Sequence, residues 1–115
     1  MTGFLTTHVL DTARGVPANG LRVDLSRVTD AGKDLVRTLV TNADGRTDTP
    51  ILPTDEFAQG AYELLFHVDD YLAQVGHSGP TFLTKVPICF EMSEDAHYHV
   101  PLLLSPYGYS TYRGS

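Results

Sequence analysis

The stretch from His97 to Ser115, HYHVPLLLSPYGYSTYRGS, decides how this chain folds. Val100, Leu102 and Leu104 alternate with His99, Pro101 and Leu103. A strand over these residues buries one row in a core and points the other away from it. His99 falls on the row opposite the core. Ser105-Pro106 breaks the stretch in two, and three tyrosines and an arginine follow without one acidic side chain. Chain ends usually fray and pack against nothing. An end this rich in aromatic and apolar side chains reads as a docked element.

Working outward, Phe4 to Asp11 (FLTTHVLD) reads as a first strand with both rows partly apolar, covered on both faces. TARGVPANG is a loop, and Leu21, Val23 and Leu25 alternate with Arg22, Asp24 and Ser26 as a strand with one wet face. Asp30 to Lys33 is a turn, followed by a strand from about Leu35 to Thr41. Asn42-Ala43-Asp44-Gly45 is a second tight turn, in which Gly45 supplies the positive φ. Pro50 and Pro53 restrict any strand in residues 50–60 to a short edge piece. Ala61 to Val68 and Thr84 to Met92 are further strands. Between them Asp69 to Gly76 reads as the one helix, with Asp69 as N-cap and Gly76 at its far end. Two turns of helix are marginal alone, so Tyr71, Leu72 and Val75 must dock on a sheet. Seven or eight short strands with one short helix describe an all-β, two-sheet sandwich.

The chain has 115 residues, enough for a single domain over 1–115 that buries roughly two-thirds of the surface its unfolded form exposes. A formal net charge of -6, with Lys and Arg totalling 8, argues against nucleic acid, which requires a basic patch. The lone cysteine, Cys89, lies in the apolar run Val86 to Phe90 and reads as a buried core thiol. No apolar stretch approaches a membrane span, and Met1-Thr2-Gly3 leads straight into a strand pattern. The expected location is the cytoplasm.

Few residues carry candidate chemistry. His8 and His99 both lie on strands with apolar neighbours. Either alone is an ordinary half-exposed sheet histidine, but two imidazoles on non-core rows supply a base and an acid near neutral pH. Arg46, directly after the Gly45 turn, is a solvated turn residue or a fixed fork of donors for an oxyanion. Tyr107, Tyr109 and Tyr112 suit an interface, and Arg113 with Ser115 suits a salt bridge and a loose end. His97 and His99 stand at i and i+2, and His8 completes a three-histidine metal alternative, which no Cys, Asp or Glu at ligand spacing reinforces. His67 and His77 have no evident partner.

At these residues the chain resembles the 5-hydroxyisourate hydrolases, transthyretin-like enzymes of purine degradation. The resemblance runs over nearly the whole length. It rests on Leu5-Thr6-Thr7-His8-Val9-Leu10-Asp11 with Gly15 and Pro17-Ala18, on Thr41-Asn42-Ala43-Asp44-Gly45-Arg46, and on Tyr98 to Pro106 leading to Tyr112-Arg113-Gly114-Ser115. The resemblance implies a transthyretin-like (prealbumin-like) sandwich assembled as a homotetramer, with no metal or organic cofactor. It implies a small-molecule substrate, 5-hydroxyisourate, whose lactam C–N bond is hydrolysed to the ureidoimidazoline that a decarboxylase later converts to allantoin. It also implies substrate contacts from His8, Arg46 and Tyr112, with His99 and Ser115 completing the site. One of His8 and His99 would take a proton from water and the other would protonate the leaving nitrogen. Arg46 would hold the oxyanion, and Tyr112, Arg113 and Ser115 would orient the substrate. A transthyretin-type carrier that binds a planar ligand without turnover is the non-catalytic alternative.

Overall fold

The computed structural model describes residues 2–114. Its strands are β1 (Phe4–Thr6), β2 (Val9–Asp11), β3 (Val16–Pro17), β4 (Arg22–Thr29), β5 (Gly32–Val40) and β6 (Gly60–His67). Helix α1 (Val68–Gln74) follows, then β7 (Lys85–Met92), β8 (His97–His99), β9 (Leu102–Ser105) and β10 (Gly108–Thr111). One sheet runs β5-β4-β6-β7, antiparallel throughout. The other runs β10-β9-β2-β3, and the β1-β8 pair extends it.

The expected first strand is interrupted. β1 pairs in parallel with β8, Thr6 opposite His99, and β2 pairs in parallel with β9, Val9 opposite Leu102. The register is the same on both sides of the gap, so this is one ladder, interrupted where the Val100 carbonyl accepts from a side chain instead of the neighbouring backbone. Val100 N donates to Thr6 O at 3.0 Å and Leu102 N to His8 O at 2.9 Å, which carries the ladder across. The buried Thr7 hydroxyl donates to Val100 O at 2.6 Å. Position 6 is thereby held opposite position 99, and position 8 opposite 101, although the two segments lie at opposite ends of the chain.

The core alternation is as the sequence indicates. Tyr98, Val100, Leu102 and Leu104 are buried with Leu5 and Val9 beneath one sheet, against Val23, Leu25, Leu64, Phe66, Val86 and Met92 from the other. Pro101 is buried as well. Residues 50–59 contribute a single antiparallel bridge, Leu5 to Leu52, and a 3-10 turn at Thr54–Glu56. Pro106-Tyr107 forms the two-residue link of the β9-β10 hairpin, closed by the Ser105–Gly108 pair. No helix of the described residues is long and apolar enough to cross a membrane.

Three local readings are corrected. Cys89 is exposed, because Val86, Ile88, Phe90 and Met92 form the row of β7 that turns toward the core and Cys89 lies on the other row. The helix begins at Val68, with His67 at the N-cap position and no side-chain cap. Val68 is buried, so the helix starts where the core demands, and Asp69 instead pairs with Lys85 at 3.0 Å. His67 does have a partner: its Nε2 lies 2.8 Å from Asp24 Oδ2 inside the β4-β6 pair. Burial acts to raise the Asp24 carboxyl, but hydrogen bonds with His67, Arg22 and Thr38 hold it below the ordinary carboxylate value.

Candidate active site

A cleft of about 430 Å³ opens on the non-core face of the β1-β8 ladder, with Thr6, Arg46, Thr47, Asp48, His97 and His99 among its walls. His97, His99 and Arg46 are each placed by a specific backbone device. Alternation along β8 puts His97 and His99 on one face and buries Tyr98 on the other. Tyr98 is fixed in turn, since its hydroxyl accepts from Ser93 N at 3.0 Å and Glu94 N at 3.1 Å. The ring of Phe4 stacks flat on His97, centroids 4.0 Å apart and planes 6° from parallel.

Arg46 leaves a turn that is tied to the sheet. Asn42 Oδ1 accepts from Asp44 N at 2.9 Å and Arg46 N at 3.3 Å, and Asn42 N donates to Arg46 O at 2.7 Å. Val9 N donates to Gly45 O at 2.8 Å, which docks the turn on β2. Gly45 is buried with φ +75°, and a Cβ there would run into the Val9 carbonyl oxygen and stand 3.3 Å from His8 Cδ2. The missing side chain is what lets the turn lie against His8. Gly45→Ala is therefore expected to cost at least about 1–3 kcal/mol, the usual range for a non-glycine residue in this conformation, with the added clash on top. Chemical denaturation measures it; a loss under about 0.5 kcal/mol, the size of an ordinary surface change, would contradict this role for Gly45.

Arg46 and His99 line the cleft together, whereas His8 is not among its walls: it lies against the Gly45 turn, near enough for its charge to act on His99. His99 is half-buried, and desolvation first, then the Arg46 guanidinium, then His97 and His8, hold its pKa below the ordinary imidazole value. Beside the guanidinium of an exposed arginine, the neutral form of the ring is thereby favoured. The tail closes over it: Gly114 N donates to His99 O at 2.7 Å, and Gly114 lies so near that an added Cβ would stand 2.6 Å from His99 Cδ2.

Tyr112 and Arg113 go elsewhere within the chain. They line a second cleft of about 330 Å³ with Phe90, Tyr98 and Val100. Tyr112 is 58% exposed, and the Arg113 guanidinium sits 4.3 Å from the centroid of the Tyr98 ring, 3.8 Å from Glu94. Ser115 lies outside the described residues. Among the described residues no three His, Cys, Asp or Glu side chains group closely enough to hold a metal ion, so His8, His97 and His99 do not form the three-ligand set of the metal alternative.

Sequence reasoning passed over Thr6. Its hydroxyl stands 2.7 Å from His97 Nε2 and 2.8 Å from His99 Nδ1. The signal was its position two before His8, on the same strand row, but only the parallel register reveals that it faces His99.

Fold and cleft together define a class: a small transthyretin-like sandwich with imidazoles and a guanidinium gathered on an outer sheet face. The model of the HIUase/Transthyretin family matches residues 5–114. The chain is 56% identical over 117 residues to 5-hydroxyisourate hydrolase 2 of Rhizobium meliloti (strain 1021), covering 99% of this chain and 98% of the relative. The structure of Klebsiella pneumoniae 5-hydroxyisourate hydrolase superposes with TM-score 0.83 at 37% identity, over 98% of this chain and 99% of that one. The crystal structure of (S)-allantoin synthase superposes with TM-score 0.89 at 46% identity, over 98% of this chain but only 44% of that one. The chain belongs to the HIUase/Transthyretin family.

Proposed function

We propose that this chain hydrolyses 5-hydroxyisourate to 2-oxo-4-hydroxy-4-carboxy-5-ureidoimidazoline, a step of urate degradation, in the cleft lined by Arg46 and His99, with His8 beside it. The observation that carries the reading is a half-buried imidazole that shares an open cleft on the sheet face with a guanidinium. His99 accepts a proton from water as that water attacks a ring lactam carbonyl. Arg46 donates to the oxyanion that develops, and His8 protonates the departing nitrogen as the C–N bond breaks. Ser115 completes this site in the proposal, and no metal or organic cofactor takes part. Tyr112 and Arg113 bind the substrate from a neighbouring subunit of a homotetramer, consistent with their distance from the cleft inside one chain. The protein works in the cytoplasm.

Hydrolysis places one solvent oxygen in the new carboxylate. Turnover in ¹⁸O-enriched water, quenched before the spontaneous reaction contributes, is expected to label the product once. Unlabelled product, or bound substrate that decays no faster than free, would overturn the reading and favour the carrier.

The lowered pKa of His99 fixes the acid side of the pH profile. The neutral ring is the active form, so kcat/KM is expected to hold as pH falls through the ordinary imidazole value near 6.5 and to decline only below it. A decline already complete at pH 6.5 would show that a different group is the base.

A further inference from the structure

Thr6 occupies a position that the proposed mechanism does not use. Its Oγ1 lies between two ring nitrogens, His97 Nε2 at 2.7 Å and His99 Nδ1 at 2.8 Å. A hydroxyl has one proton to give and lone pairs to accept with. It can donate to one of the two nitrogens only. Both contacts are satisfied when one nitrogen is bare and the other carries a proton, so the tautomers of the two histidines are tied in opposite senses.

We propose that Thr6 is a positioning residue that locks His99 as its Nδ1–H tautomer, with the Thr6 proton directed at His97 Nε2. The catalytic part of this inference rests on the reading of His99 as the base; the tautomer coupling does not. Three observations support the direction. The Arg46 guanidinium lines the same cleft, and a cation there favours a bare nitrogen over an N–H on the ring edge turned away from Thr6. His97 is exposed, so water can accept its Nδ1–H when Nε2 is bare. The ring plane of His97 is held by its stack on Phe4, which keeps Nε2 aimed at the hydroxyl.

The consequence for the reaction is specific. With Nδ1 protonated, Nε2 of His99 is the nitrogen that takes the proton from water. The imidazolium that forms then donates from Nδ1 to an oxygen already polarised by its own donation to His97. Thr6 and His97 stand where a triad places the group that orients its base, but neither is a carboxylate, so the effect is expected to be far smaller than that of a buried carboxylate.

Thr6→Val preserves shape and β-branching and removes the hydroxyl. It is expected to lower kcat about tenfold with KM within about twofold, while Thr6→Ser restores the wild-type rate. His97→Phe keeps a ring to stack on Phe4 and is expected to act in the same direction. The double variant is expected to be no slower than Thr6→Val alone, since both changes cut one chain. Separately, ¹⁵N spectra of the ring nitrogens in the substrate-free protein are expected to show His99 protonated at Nδ1 and His97 at Nδ1 with bare Nε2, and Thr6→Val to abolish the His99 preference. Wild-type kcat in Thr6→Val, a serine variant as slow as the valine one, independent multiplication of the two losses, or an unchanged His99 tautomer would each overturn the proposal. If wild-type protein fails to accelerate hydroxyisourate decay, the functional reading falls, and the spectra still decide the coupling.

Discussion

His99→Gln is expected to lower kcat for hydroxyisourate hydrolysis by about 10²- to 10⁴-fold, the range that a positioned general base contributes. The fold should survive. The backbone of His99 stays in its ladder, opposite Thr6 on one side and bridged to Gly114 on the other, whatever the side chain. Glutamine can still reach the Thr6 hydroxyl but cannot take up a proton. Unchanged circular dichroism with collapsed kcat is the expected pair of readings. A variant within about threefold of wild type would remove His99 from the chemistry, since no general base is worth so little.

Arg46→Ala is expected to cost about 10²- to 10³-fold in kcat, as loss of an oxyanion donor does. The guanidinium is among the walls of the cleft, where its fork of donors can meet an oxyanion. A second reading comes from the same variant. Arg46 is the strongest charge acting to lower the His99 pKa, after desolvation. Its removal relieves that repulsion, so the acid limb of the pH profile should move upward toward the ordinary imidazole value. Arg46→Lys keeps the charge and loses the fork, and is expected to hold the acid limb in place while recovering only part of kcat. Loss of kcat with an unmoved acid limb in the alanine variant would mean that Arg46 does not act on His99.

Much of this was legible in the residues. The alternation around Val100, Leu102 and Leu104 gave both the core row and the outward direction of His99. The Asn42–Gly45 turn could be read because only glycine adopts its φ freely, and Arg46 follows from it. What remained hidden depends on pairing between distant segments. The interruption of the first strand falls where the Thr7 hydroxyl takes the Val100 carbonyl of the partner strand, a contact between segments 93 residues apart. The His67–Asp24 contact joins neighbouring strands separated by 43 residues of sequence, beyond any local periodicity. Thr6 is anonymous until parallel register places it opposite His99. Cys89 is different, because the alternation of Val86, Ile88, Phe90 and Met92 already marked it as outward; the apolar run around it masked that pattern. Tyr112 and Arg113 illustrate a third kind of limit. The resemblance implies a role for them at the substrate, and within one chain they line the second cleft beside Tyr98, so only a neighbouring subunit could bring them to the first.

The most direct measurement is the ultraviolet decay of freshly generated 5-hydroxyisourate, with chelator-treated wild-type protein, with His99→Gln at equal concentration, and with buffer alone. The expected result is fast decay with wild type and near-spontaneous decay with the variant. Equal decay in all three samples, or acceleration that vanishes only with the chelator, would contradict an imidazole–guanidinium hydrolase.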